Sequence, residues 1–239
     1  MITLFLSTYG LSEQKKQYIG MVYIPAGEMI IGSNEGFTSE KPRHIVYIKS
    51  FYIDKYEITN GQYKIFIDAT GHSAPPHWKN GNFPEGQENY PVVNVSYYDA
   101  LKYAKWAGKR LPTEEEWEKA ARGTDGRIYP WGNEWKKDCA NVKLWHGLFN
   151  SLQPVGSYKD GVSPYGVFDL SGNVAEWTDS WFEYYPGNIN RQQNQGKKYK
   201  IIRGGSYRTT KSMSQTFRRN VLEPEKFRDD LGFRCVKDE

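Results

Sequence analysis

Apolar positions alternate with polar ones early in the chain, then take up helical spacing, then lose any period. Met21-Val-Tyr-Ile24 and Glu28-Met-Ile-Ile-Gly32 read as two strands, and Pro25-Ala-Gly27 between them reads as the turn of a hairpin. Ser33 to Pro42 is polar and reads as a loop. His44 to Ile53, with Val46 and Ile48 at alternate positions, reads as a third strand. Helical segments with clear ends come next. Thr59 caps Asn60 to Thr70 and Gly71 stops it, while Ser96 caps Tyr97 to Ala107, with Asp99 at its third position and Gly108 as its stop. Thr113 and Glu116 form a capping box for Glu114 to Arg122, Gly123 ends that helix, and Trp117 with Ala120 or Ala121 forms its core face.

The remainder shows little period. His72 to Pro91 is a loop rich in Pro, Gly, Asn and rings, and Tyr129-Pro-Trp-Gly-Asn133 has to be pinned by its aromatics. Gly172-Asn173 separates two apolar stretches and predicts a hairpin or a bend in a strand. Trp181 to Lys200 is a polar loop. Ile201-Ile202 is a strand that enters Gly204-Gly205, Phe233 lies in a last apolar strand, and the segment between them is polar and irregular. An irregular segment held at both ends by strands is where function tends to sit. The expected fold is α+β with little regular secondary structure, residues 1–20 being an extension and 21–237 one domain.

Composition sharpens this picture. The 239 residues include 8 Trp, 18 Tyr and 23 Gly, which suits a loop-rich chain pinned by aromatic clusters. Trp131, Trp145, Trp177, Trp181 and Tyr207 are expected to pin the core, some of them lining the surface shaped by the final segment. A net charge of +4 from 32 basic and 28 acidic residues is too balanced for a nucleic-acid surface, and the basic run Arg191 to Arg203 reads as a solvated loop. No apolar run is long enough to span a membrane. Met1-Ile-Thr-Leu-Phe-Leu6 lacks the basic start and cleavage site of a leader, and Cys139 with Cys235 gives at most one disulfide, so a reducing, cytoplasmic compartment is favoured. Of the histidines, His44, His72, His77 and His146, only His72 and His77 share a loop, and no third metal ligand joins them. Neither a phosphate-cradling glycine loop nor a Ser-His-Asp arrangement can be read.

Separated stretches then resemble one family in order: Met21-Val-Tyr-Ile-Pro-Ala-Gly-Glu28, Glu57-Ile-Thr-Asn60, Pro91-Val-Val-Asn-Val-Ser96, Gly108-Lys-Arg-Leu-Pro-Thr-Glu114, Glu116-Trp117, Tyr129-Pro-Trp-Gly-Asn133, Gly172-Asn-Val-Ala-Glu-Trp177, Arg203-Gly-Gly-Ser-Tyr207 and Leu231-Gly-Phe-Arg234. Together they resemble the formylglycine-generating enzyme, or sulfatase-modifying factor, family, from about Met21 to Lys237. The resemblance implies a variant of the C-type lectin fold. It also implies an oxidase that turns a cysteine of a sulfatase Cys-x-Pro-x-Arg pattern into formylglycine, using oxygen and copper(I) held by two cysteines. Thr209 and Ser214 occupy the positions of those cysteines, while the motif serine, Ser206, is kept. A hydroxyl does not replace a thiolate on soft copper(I), and Met213 is a single thioether. The signature oxidation is therefore expected to be absent.

The resemblance further implies a calcium site at Asp169, Gly172, Val174 and Glu176, from two carboxylates and two carbonyls, suited to a hard cation. The alternative for Asp169 and Glu176 is to cap turns or pair with arginines. A second family site begins at Asn141-Val142, and its other half falls in a loop that is shorter here. Cys235 matches a family position bridged in some members to one that is Ala104 here, so the thiol reads as free and buried. The expected function is a non-oxidase domain that binds a protein, a peptide or a small ligand. Its binding surface would be built by Tyr207, Arg208, Thr210, Lys211, Met213, Gln215, Arg218 and Arg228, within residues 208–230 and the flanking loops. Two other readings stay open. One is an oxidase with relocated metal ligands, or a relative of the family's sulfur-transfer and siderophore-tailoring branches. The other is a variable binding protein of a diversity-generating retroelement, which Arg208, Lys211, Met213 and Gln215 fit poorly.

Overall fold

A computed structural model of the chain describes residues 18–143, 151–191 and 196–239. The architecture is α+β. Its strands are β1 (Met21–Ile24), β2 (Gly27–Ile31), β3 (His44–Ile48), β4 (Phe51–Asp54), β5 (Ala175–Trp181), β6 (Lys200–Arg203), β7 (Asn220–Leu222), β8 (Leu231–Gly232) and β9 (Val236–Asp238), and its helices are α1 (Asn60–Thr70), α2 (Tyr97–Trp106) and α3 (Glu114–Arg122). They form a β1-β4-β9 sheet, a β2-β3 ribbon and a β7-β6-β5-β8 sheet, antiparallel except for β5 with β8.

The helices form where their caps lie. Thr59, Ser96 and Thr113 each close a reciprocal capping box with the residue three places on, and Gly71 ends α1 in the left-handed region at φ 70°. Helix α2 stops at Trp106, with Ala107 as its cap. The strands depart from expectation. β1 does not pair with β2: it pairs with β4, and β2 pairs with β3. Pro25 has no N–H for a ladder, and Gly27 at φ 143° redirects the chain, which does not fold back. The stretch from His44 to Ile53 is two strands, because alternation stops after Ile48 and every residue of β4 is buried. Gly172-Asn173 is no hairpin either; it precedes β5, and the described residues 151–171 on its other side contain no strand. Phe233 lies between β8 and β9, where its carbonyl accepts from Ile58 N (2.9 Å). The segment between Arg203 and Leu231 is less irregular than expected, with a 3-10 turn at Lys211–Ser214 and with β7 paired to β6.

One apolar cluster joins α1, α2, Trp177, Ile202, Phe233 and Cys235, which is a free, buried thiol sharing that core with Ala104. A second joins β1, β4 and β9 to Trp117, Ala120 and Ala121 of α3. Helix α3 also buries Glu114, Glu118, Lys119 and Arg122. Glu118 takes Arg122 Nη1 (2.6 Å), the N–H of Gly32 (2.9 Å) and Arg203. Lys119 Nζ donates to Gly27 O (3.0 Å), fixing the start of the ribbon. Among the described residues no helix is long and apolar enough to cross a membrane.

Glu118→Ala would strand Arg122 and Arg203 without a carboxylate, at an expected cost of about 3–5 kcal/mol. Lys64→Ala, in the surface pair with Asp68, should move stability by less than about 0.5 kcal/mol. Urea unfolding of both variants measures this, and equal costs would show that the buried pair does not hold α3 to β6.

Candidate functional site

The site begins where β6 ends. Gly204 (φ 90°) and Gly205 (φ 69°) turn the chain against the Gly172-Asn173 turn. Gly172 N donates to Gly204 O and Tyr207 N donates to Asn173 O, both at 2.9 Å. A Cβ on Gly204 would lie 3.2 Å from the Trp117 ring, so the close approach to the core requires glycine there.

Ser206 comes next, fully buried. Its hydroxyl donates to Asp230 Oδ2 (2.7 Å), and Arg228 Nε donates to Asp230 Oδ1 (2.8 Å). Thr209 Oγ1 lies 3.2 Å from Ser214 Oγ; it accepts from Ser206 N (2.8 Å) and donates to Ser206 O (3.0 Å). The two hydroxyls therefore meet. Met213 is half-buried, while Arg208, Thr210 and Lys211 are exposed on this turn.

Other expected surface residues fall differently. Tyr207 is buried rather than exposed: Arg208 lies over its ring at 5.3 Å and ion-pairs with Asp229. Gln215 and Arg218 lie in a separate cavity, and Arg218 pairs with buried Glu40 (2.8 Å). The polar face thus comprises Arg208, Thr210, Lys211, Met213 and Arg228, together with Asp229 and Asp230, which the sequence did not single out, and His77, which it weighed only as a metal ligand. His77 Nδ1 is 3.2 Å from Asn94 Nδ2, and burial holds its pKa below the usual range. Residue Asn94 (φ 59°) also donates its N–H to Arg228 O (2.9 Å). His72 is engaged elsewhere, with Asp99 (2.9 Å), so the two loop histidines serve different partners. His44 Nδ1 lies 2.9 Å from Pro42 O. Trp177 is in the core, Trp131 stacks on Tyr129 (5.2 Å), and Trp181 lies 4.2 Å from Lys200 Nζ. Trp145 and His146 lie outside the described residues.

Behind the turn, Arg234 donates Nε and Nη2 to the two oxygens of Glu176 (both 2.7 Å), and Trp117 Nε1 donates to Glu176 Oε2 (2.8 Å). Asp169 accepts from Gly156 N (2.7 Å). Glu57, unforeseen in the sequence, accepts from Asn173 Nδ2 (2.7 Å) and Val174 N (3.1 Å). Burial pushes the Asp169 carboxyl up to about 6, and burial with the nearby Asp169 and Glu176 pushes Glu57 well above its usual range. Three carboxylates thus share one guanidinium. Among the described residues no group of three or more His, Cys, Asp or Glu side chains is arranged to hold a metal. A cation here would have to rest on Asp169 and backbone carbonyls, because Glu176 is committed to Arg234. At the second family position, Asn141 Oδ1 is buried without a hydrogen-bond partner.

The fold and the two docked turns define a C-type lectin-like protein of the sulfatase-modifying kind. Residues 8–239 match the sulfatase-modifying factor enzyme 1-like domain, and the chain belongs to that family. It is 33% identical to the formylglycine-generating enzyme of Streptomyces coelicolor, over 92% of this chain and 89% of that protein. It is also 33% identical to the serine/threonine-protein kinase pkn1 of Chlamydia caviae, over 91% of this chain, yet it spans only 38% of the length of that kinase. The structure of PvdO from Pseudomonas aeruginosa superposes with a TM-score of 0.76 at 27% identity, covering 92% of this chain and 94% of PvdO.

Gly205→Ala would place a methyl 2.5 Å from Ser214 Oγ and 2.7 Å from Thr209 Oγ1, in a left-handed conformation. The expected cost is about 1–3 kcal/mol, with faster amide exchange across 206–214. Unchanged exchange there would show that this turn does not organise the hydroxyl pair.

Proposed function

We propose that the chain is a binding member of the formylglycine-generating enzyme family that lacks the copper oxidase site. The observation that carries this reading is the contact of Thr209 Oγ1 with Ser214 Oγ at 3.2 Å. The backbone brings the two family positions together as a thiolate pair would need, and hydroxyls fill them. Thiolates are the ligands that soft copper(I) selects, whereas two neutral hydroxyls offer it neither charge nor polarisability. These hydroxyls satisfy each other and the adjacent backbone, so the site is closed as a hydrogen-bonded turn. What remains exposed is Arg208, Thr210 and Lys211, flanked by half-buried Met213 and Arg228. That mixture suits a protein or peptide partner, with the two arginines already oriented by Asp229 and Asp230.

Wild-type protein given copper(I), oxygen and a peptide with the Cys-x-Pro-x-Arg pattern should leave the cysteine unchanged by mass spectrometry. The double variant Thr209→Cys with Ser214→Cys should take up one copper(I) against a competing chelator that keeps the metal from wild type. Formylglycine made by the wild-type chain would sink the reading.

Calcium belongs to the same proposal, at Asp169 with the carbonyls of Gly172 and Val174. The excess of Glu57, Asp169 and Glu176 over Arg234 supports a hard cation there. Removing calcium with a chelator and restoring it at a hundredfold excess over Kd should raise Tm by about 5–10 °C. Asp169→Asn should abolish the rise, and a Tm indifferent to calcium in wild type would dispose of the site.

A further inference from the structure

A groove of about 460 Å³ lies between the C-terminal turns of α1 and α2, on residues that the Arg208 face does not use. Helix α1 and the turn after it supply Phe66, Thr70 and His72, and α2 supplies Lys102, Lys105 and Trp106. Its size falls within the range of ligand sites.

The floor is aromatic. Phe66 is buried, and its ring centroid lies 5.5 Å from that of Trp106. Trp106 also packs on Tyr103 (5.7 Å), yet 43% of it is exposed. An indole held by two rings gives up little side-chain freedom when a partner ring meets it.

Most polar groups of the walls already have partners. Thr70 Oγ1 donates to Phe66 O (2.7 Å) and accepts from His72 N (3.3 Å). His72 Nε2 lies 2.9 Å from Asp99 Oδ1, and Asp99 Oδ2 accepts from Ser96 N (2.9 Å) and Ser96 Oγ (2.6 Å). Asp99 is thus turned to the cap of α2. The nearby lysines Lys64 and Lys109 are paired with Asp68 (2.6 Å) and Asp54 (2.5 Å). Lys102 and Lys105 differ: neither makes an ion pair or a side-chain hydrogen bond among the described residues. Three places apart on one helix, they stand as neighbours and line the same groove. The groove therefore joins a dry aromatic floor to two ammonium groups without a carboxylate.

We propose that this groove takes an acidic peptide segment of a partner protein, anchored by an aromatic side chain. The ring lies against Trp106 and Phe66, and carboxylates next to it in the peptide reach Lys102 and Lys105. Charge complementarity selects this occupant, since a second copy of the chain carries a net charge of +4 and a basic segment would be repelled by both lysines. The proposal goes beyond the binding role of the Arg208 face and uses none of its residues.

Amide NMR spectra of the full chain, titrated with the peptide acetyl-Glu-Asp-Phe-Glu-Asp-amide, test it. Saturable shifts are expected across residues 66–72 and 102–106 and at the indole N–H of Trp106. A peptide with Ala for Phe, and one with Lys for every acid, should each bind at least about tenfold more weakly. Lys102→Glu combined with Lys105→Glu should weaken the acidic peptide about tenfold and strengthen the lysine peptide. Both lysines are exposed, so the reversal leaves the floor intact. No saturable shift in wild type, shifts confined to residues 207–230, or equal binding of the three peptides would overturn the proposal. Oxidation of the Cys-x-Pro-x-Arg peptide by the same protein would remove the binding-module reading and leave this groove standing, because neither Thr209 nor Ser214 borders it.

Discussion

Two guanidinium groups shut away from water, those of Arg203 and Arg234, decide how the rest of the chain must lie. Each is fully buried and each is charge-paired inside the protein, with Glu118 and Glu176 respectively. Losing one partner of such a buried pair costs far more than the pair contributes, and Arg203 Nε is already without a partner. Trp117 stands between them: its indole N–H donates to Glu176, and its ring lies 5.4 Å from the Arg203 guanidinium. One residue of α3 thus ties the end of β6 to the segment after β8. The two glycine turns have to dock between these anchors, and the exposed polar face is carried by the chain beyond Tyr207.

This arrangement explains which parts of the fold were legible. The helices announced themselves through local chemistry, since a capping box needs residues only three places apart, and Thr59, Ser96 and Thr113 all supply one. The strands did not. β4 and β6 are buried at every position, so the two-residue period that marks a half-exposed strand is missing from both. Helix α3 misleads in the opposite sense. Its run of Glu, Lys and Arg looks like a solvated face, yet Glu118, Lys119 and Arg122 are inside, paired with atoms of Gly27, Gly32 and Arg203 far along the chain. No local pattern carries a partner at that separation.

The site divides in the same way. Ser206, Thr209 and Ser214 are picked out only by the resemblance to the family's motif after Gly204-Gly205, which no local pattern would have supplied. Their acidic neighbours are not picked out at all. Asp229 and Asp230 return from the far end of the segment to hold Arg208 and Arg228, and Asn94 brings His77 beside them from a different loop. Tyr207, read both as a pinning ring and as part of the binding surface, is the buried floor under Arg208. The surface read as continuous from 208 to 230 splits because the 3-10 turn at Lys211–Ser214 sends Gln215 and Arg218 to another side, toward Glu40.

Stability and chemistry are therefore separable in this chain. The interactions that hold the turn are backbone hydrogen bonds between Gly172, Asn173, Gly204 and Tyr207, together with the buried ion pairs behind it. None of them involves the side chains at 209 and 214. Two hydroxyls at those positions find donors and acceptors in each other and in the adjacent backbone, so neither hydroxyl is stranded. A scaffold of this kind can give up thiolate chemistry without weakening its framework, and it keeps a rigid turn on which charged side chains are displayed. Arg208 and Arg228 are braced by carboxylates, which lowers the entropy lost when a partner fixes them. The framework that would hold two thiolates is thus kept intact with hydroxyls in the place of sulfur.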